Sequence, residues 1–293
     1  MKARLCFLPA LLILAAACQK EEKTVTPTVP HFTLTLNASK VSDETKALDL
    51  TNEGATLDAY WTSTEKVQVI KDGALMGTLD VTPDEGEKPV TAMLGGSIAP
   101  TNLSVGQKLL LMLPRSSWDY TGQDGTLGTL ASTYDYATAT VTVAGIEAGA
   151  VTTTGGANFE NQQSVYRFGF KAGDVYFDPK SFVVNAAGGK LVQRMSFAGT
   201  DWTPAYGGVE VTAPISPADH YYYVSLRNES TAEETYSFVV TASDNSLYLG
   251  SKTIPSIAMD VPGKFISAKS VALTQAILAP IADQEINDPS KIF

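Results

Sequence analysis

His31-Phe32-Thr33-Leu34-Thr35-Leu36 alternates polar and apolar residues without a break. Successive side chains of a strand point to opposite faces, which puts Phe32, Leu34 and Leu36 on one face and His31, Thr33 and Thr35 on the other. The segment reads as a half-buried strand. Residues 66–70 repeat the pattern, with Val67 and Val69 opposite Lys66 and Gln68, and Asp72-Gly73 then turns the chain. Leu109-Leu110-Leu111-Met112-Leu113 is apolar throughout and ends at Pro114, as expected of a strand buried on both faces. Further strands are expected at 138–143, 164–170, 181–185, 221–226, 236–241 and 246–249. Gly, Pro, Asn and Asp fill the short gaps between them, the punctuation of β-sandwiches. Helical periodicity is nearly absent. Residues 127–134 are the best candidate for a short helical turn, weakened by Gly128. The fold class expected is all-β.

The polar, Gly-rich stretch Thr152-Thr153-Thr154-Gly155-Gly156-Ala157-Asn158 is the most suitable domain boundary. It divides the chain into residues 31–157 and 158–273, each the size of one sandwich, with 274–293 left as an extension.

The N-terminus carries a different message. Lys2 and Arg4 precede an apolar run over 5–14, and Ala15-Ala16-Ala17-Cys18 follows. That is the order of a secretory signal peptide, with cysteine at the cut. The run is too short to span a bilayer as a helix. Cysteine at this place accepts diacylglycerol in bacterial lipoproteins, so residues 1–17 are expected to be removed and Cys18 to carry acyl chains such as palmitate. Two acyl chains suffice for stable anchoring. Residues 18–30, polar and Pro-rich, read as a flexible tether.

Composition narrows the functions. The chain of 293 residues holds 21 Lys and Arg against 31 Asp and Glu, a net charge of −10. With no cluster of Lys or Arg, binding to nucleic acid or anionic membranes is disfavoured. Of the two cysteines, Cys6 lies in the signal and Cys18 would carry lipid, which leaves the mature protein no thiol for a disulfide, metal site or nucleophile. A hydrophobic fraction of 44% suffices to hold it by its core alone.

Catalytic constellations are missing. The histidines, His31 and His220, are far apart in strand-like sequence. No G-x-S-x-G elbow, H-E-x-x-H, P-loop or G-x-G-x-x-G occurs, so no enzyme, metal or cofactor is expected. Asp119 and Asp124 could join a loop cation site, although loop carboxylates are more often simply solvated. Tyr221 and Tyr223 share a face opposite Tyr222; a carbohydrate-stacking platform competes there with ordinary packing. Trp61, Trp118 and Trp202 read as core or rim anchors.

Several blocks together resemble the fimbrillin family, pilus subunits of Bacteroidales. They are Thr45-Lys46-Ala47 leading to Tyr60-Trp61-Thr62 and Glu65-Lys66-Val67-Gln68-Val69, then Leu111-Met112-Leu113-Pro114 running into Tyr120-Thr121-Gly122-Gln123-Asp124-Gly125-Thr126 and Tyr134-Asp135-Tyr136-Ala137-Thr138-Ala139. Ser164-Val165-Tyr166-Arg167-Phe168-Gly169-Phe170, Tyr221-Tyr222-Tyr223-Val224-Ser225-Leu226 and Gly263-Lys264-Phe265-Ile266 complete the set. Lys20-Glu21-Glu22-Lys23 after the cysteine also resembles the surface-export signal of Bacteroidales lipoproteins.

The resemblance implies two transthyretin-like β-sandwich domains in tandem, after the lipoprotein signal peptide. It also implies a structural, non-enzymatic role in a cell-surface fimbrium that supports adhesion, with other copies or related pilins as partners. In that family a lipidated precursor reaches the outer surface, a trypsin-like protease removes its first strand, and a neighbour's strand fills the groove. Here the displaced strand would carry Phe32, Leu34 and Leu36. No arginine lies between Cys18 and Arg115, so the candidate cut falls at Lys46-Ala47, ahead of Lys40-Val41. The candidate donor strand lies in 274–293, with Ile277, Leu278, Ile281 and Ile286 as its apolar residues. An uncleaved subunit would act instead as a basal pilus anchor or as a monomeric surface lipoprotein binding glycans.

Overall fold

The computed structural model describes residues 30–40, 49–51, 56–58, 60–100, 102–198, 201–213, 216–230, 233–254 and 265–276. Cys18, Lys46, Ala47, Ile277, Leu278, Ile281 and Ile286 lie outside the described residues, as do the signal and tether.

The described chain is almost all β. Its first part comprises β1 (Phe32–Lys40), a small hairpin of β2 (Asp49–Thr51) and β3 (Thr56–Asp58), β4 (Lys66–Lys71), β5 (Ala74–Pro83), β6 (Thr91–Ile98) and β7 (Lys108–Leu113). After the two-residue strand β8 (Trp118–Asp119) come helix α1 (Leu127–Thr129) and a π-helical turn, Leu130–Tyr134. Then follow β9 (Ala137–Glu147), β10 (Ala150–Thr153) and β11 (Ala157–Asn161). The expected alternating segments are strands, and the expected helical turn is helical. The Asp72-Gly73 hairpin works because both residues adopt positive φ, 49° and 80°, as a type I′ turn requires.

Eight strands form one sheet in the order β10-β1-β11-β9-β7-β4-β5-β6, and a further pairing of β1 with β6 closes it into a ring. The sandwich expected in this half thus takes the form of one continuous sheet. β10 and β11 share a single position between β9 and β1: β10 pairs with the start of β1 and β11 with its end. The ring therefore has seven positions. Strands alternating up and down cannot close an odd ring, so one parallel pairing is forced. It falls between β1 and β10/β11.

The second sheet uses β12 (Ser164–Ala172), β13 (Val175–Tyr176), β14 (Ser181–Ala186), β15 (Leu191–Ala198), β16 (Asp201–Tyr206), β17 (Val209–Thr212), β18 (Tyr221–Asn228), β19 (Glu234–Thr241), β20 (Leu247–Ile254) and β21 (Phe265–Gln275). Its order is β16-β15-β18-β12-β21-β20-β19-β14-β17, with β13 added beside β12 and β8 beside β15. The stretch 152–158 holds the end of β10 and the start of β11, and the chain passes from first sheet to second at Gln162-Gln163.

β7 joins the two cores. Leu109, Leu111 and Leu113 point into the ring, while Met112, with Ile70 of β4, packs into the core of the second sheet. This strand is covered on both faces, as its unbroken apolar sequence requires. The segment between β7 and β9 reinforces the joint. Trp118 stacks on Trp202 at 4.4 Å, and Tyr120 and Tyr136 are buried beside it. Gln123 acts as a piece of backbone: its Nε2 donates to Ser225 O at 2.8 Å, and its Oε1 accepts from Ser225 N at 2.7 Å.

Candidate strand slot

Within the ring, β1 lies three positions from β4 in one direction and three from β7 in the other. The ring packs on the second sheet through those two strands, so β1 occupies the far side, facing away from that contact. Its outward residues Thr33, Thr35 and Asn37 are exposed, and Leu34, Leu36 and Ala38 are buried in the ring's core. Phe32 is half-buried against the same core. The face assigned to Phe32, Leu34 and Leu36 from sequence is the face that packs inward.

The two edges of β1 are unequal. Toward β6 it keeps one antiparallel register from Phe32↔Ile98 to Ser39↔Thr91 without interruption. On the parallel side it meets β10 at Thr33 and Leu34 and β11 at Ala38, Ser39 and Lys40. Between them, the ladder skips residues 35–37, where the turn joining β10 to β11 passes close to the strand. A side chain on Gly156 would place its Cβ 2.7 Å from Asn37 O. Parallel pairing is slightly weaker per residue than antiparallel, and here it is also broken. β1 is thus held firmly on one edge and loosely on the other.

A buried cation fixes the strand's end. Lys40 turns inward where the apolar pattern stops; its side chain is 3% exposed. Nζ donates to Tyr60 O at 2.6 Å and to both carboxylate oxygens of Glu65 at 3.2 Å, and sits 4.0 Å from the Trp61 ring centroid. Glu65 is held independently, since Oε2 accepts from Thr62 N at 2.7 Å. Trp61 packs edge-on against Phe159 of β11. The expected strand stopped at residue 36 because Asn37, Ser39 and Lys40 look polar; the structure carries it to Lys40. The available signal was spacing: Lys40 is in phase with Leu34, Leu36 and Ala38.

The other candidates are built into packing. Asp119 accepts from Thr121 N at 2.9 Å and Thr121 Oγ1 at 2.6 Å and pairs with Arg194 at 2.8 Å. Burial alone would raise its pKa, but these bonds outweigh burial and hold it below the ordinary carboxylate value. Asp124 accepts from Thr126 and Thr129 around the start of α1. No group of three His, Cys, Asp or Glu able to hold a metal is found among the described residues. His220 pairs with Asp178 at 2.9 Å and stacks on Tyr176.

The tyrosine alternation is as expected, and both faces are used for packing. Tyr222 enters the second core and its hydroxyl donates to Asp178 Oδ1 at 3.2 Å; burial, with the Asp178 charge, raises its pKa well above the ordinary value. Tyr223 packs with Leu130, Tyr134 and Val165 on the opposite face. Arg167 covers the ring of Tyr221 at 4.8 Å. A stacking platform on this strand would have little open ring face to offer.

No protein-family model matches the chain, and no curated protein does. Among solved structures it is similar to a proposed cell adhesion protein from Bacteroides ovatus, at 12% identity and TM-score 0.40, covering 84% of this chain and 96% of that one. A fimbrial protein from Bacteroides ovatus is similar at 14% identity and TM-score 0.35, covering 83% of this chain and 50% of that one. The tip fimbrial protein Mfa3 from Porphyromonas gingivalis, with a C-terminal truncation, is similar at 10% identity and TM-score 0.35, covering 77% and 81%. Its structural neighbours are Bacteroidales fimbrial and cell-adhesion proteins. No described helix is long and apolar enough to cross a membrane, which leaves β-barrel spans unaddressed.

Proposed function

We propose that the protein is a structural subunit of a cell-surface pilus, without catalytic activity, in which β1 is exchanged for a strand from a neighbour. The observation that carries this reading is the place of β1 in the ring. It lies nearest the N-terminus of the described chain, borders the forced parallel seam, and sits opposite the joint with the second sheet. Losing it would uncover two sheet edges at once, those of β6 and of β10/β11. Such edges pair with added strands, main-chain hydrogen bonds supplying affinity and alternate side-chain pockets supplying register. A head-to-tail contact of this kind does not close, so it grows into a filament.

The reading brings with it the tandem transthyretin-like domains, lipidation of Cys18, and outer-membrane anchorage before a trypsin-like protease cuts at Lys46-Ala47. Thr274 and Gln275, expected in the extension, belong to β21 and pair with β20; the remainder of 274–293, through Ile277, Leu278, Ile281 and Ile286, is its donor for another subunit's slot. Lys40-Val41 is the poorer cut, because Lys40 would have to leave Glu65 and Trp61 to enter a protease pocket. The test is limited trypsin digestion of the purified protein, followed by electrophoresis without heating. Wild type is expected to be cut near Lys46 and then to release its first strand when a peptide of residues 31–41 is added in excess, while Lys46→Ala stays uncut and keeps the strand. A trimmed wild-type chain that neither gives up its first strand nor takes up the added one overturns the reading.

A further inference from the structure

The slot's own chemistry specifies its occupant. Three rows of contacts define it: Leu34 and Leu36 project into the ring core, Ala38 lies between Ala92 and Ala157, and Lys40 lies against Glu65, Tyr60 O and Trp61. Ala38, Ala92 and Ala157 are all buried, so a larger side chain at the Ala38 place would have to displace its neighbours in the ring. Glu65 is oriented by Thr62 N–H whether or not Lys40 is present, and its side chain is only 14% exposed. A strand lacking a cation at that place would leave a largely buried carboxylate unpaired.

We infer that the slot is selective for a strand reading large-x-large-x-small-x-cation, and that the occupant comes from a different subunit rather than from a second copy of this chain. This rests on the exchange reading proposed above. The chain's own extension fails the pattern in each register that offers apolar residues or a cation. Starting on Ile277 puts Ile281 in the alanine row and Asp283 against Glu65. Starting on Leu278 puts Pro280 in mid-strand, where it removes a backbone donor, and Gln284 at the cation's place. Lys291 is the sole cation in 274–293, and aligning it with Lys40 sets Glu285, Asn287 and Pro289 on the Leu34, Leu36 and Ala38 positions. A filament of this subunit alone would mismatch at every joint.

The test uses the full chain with a site-specific protease sequence inserted within 42–47 and a fluorophore at the N-terminus, so that cutting frees β1 without removing it. Four synthetic peptides compete for the slot: residues 31–41, the same with Lys40→Glu, the same with Ala38→Leu, and residues 274–293. The native-pattern peptide is expected to displace labelled β1. The two variants and the extension are expected to do so at least about tenfold less effectively. Equal displacement by the extension or the Lys40→Glu peptide overturns the selectivity and leaves the exchange reading standing. Failure of all four, the native pattern included, overturns both.

Discussion

β1 and β21 are counterparts. Each is a terminal strand of the described chain, and each is paired in parallel along one edge and antiparallel along the other. They differ in which edge holds them. β1 is continuous along antiparallel β6 and broken along its parallel side. β21 runs beside parallel β12 from Val165↔Phe265 to Ala172↔Leu273, with one irregularity, and meets antiparallel β20 only over Tyr248, Leu249 and Gly250. Their positions differ too. β1 closes a ring on its far side, whereas β21 sits mid-sheet, with β12 on one side and β20 on the other. A strand can be replaceable when the remaining strands still form a sheet without it. The ring minus β1 is an open sheet; the second sheet minus β21 is two pieces.

The largest contrast should come from the core. Leu34→Ala and Val271→Ala should each destabilise, by about 3 and about 2 kcal/mol respectively, measured by urea unfolding. In a chain cut between β1 and β2, only Leu34→Ala should speed loss of the β1 fragment on size-exclusion chromatography. Equal loss from both variants would erase the distinction.

Next in size is the buried cation. Lys40→Met should cost about 2 kcal/mol, because Glu65 is left without its partner, and Lys40→Met with Glu65→Gln should recover part of that. Additive effects in this double-mutant cycle would mean that the pair does not fix the strand's end. Gly156→Ala should cost about 1 kcal/mol or more, since its Cβ meets the backbone of Asn37, and hydrogen exchange should rise in β1 before it rises in β21.

The smallest effect belongs to the second sheet. The Asp119 pKa is held below 3.8, so its contribution is present above that value and is lost as pH falls through the lower folded-state value. Arg194 and Asp119 are both well exposed, which keeps the effect small. Asp119→Asn should therefore flatten the acid limb of the stability curve slightly, leaving β1 retention at neutral pH unchanged.

Much of the fold was legible because alternation is a local signal: 31–36 and 66–70 each declared which face would be buried, and 221–226 declared which tyrosines would share a face. The continuous run 109–113 declared a strand between two cores. Ring closure was not legible, because it depends on β1 meeting β6 and β11 across long separations, and no local pattern encodes a parallel seam. Lys40 was hidden by its charge, since an inward lysine becomes readable only once Glu65 and Trp61 are known to face it. Gln123 was hidden likewise, its amide standing in for a backbone pair that the sequence does not advertise.

The central claim is that β1 can leave while the rest of the ring persists. Hydrogen exchange on the full chain, cut between β1 and β2 and then incubated with excess unlabelled 31–41 peptide, measures this directly. The account predicts that the original β1 fragment is lost while the amides of β4, β5, β7 and β9 keep their protection. Loss of protection in those four strands together with β1 would contradict it.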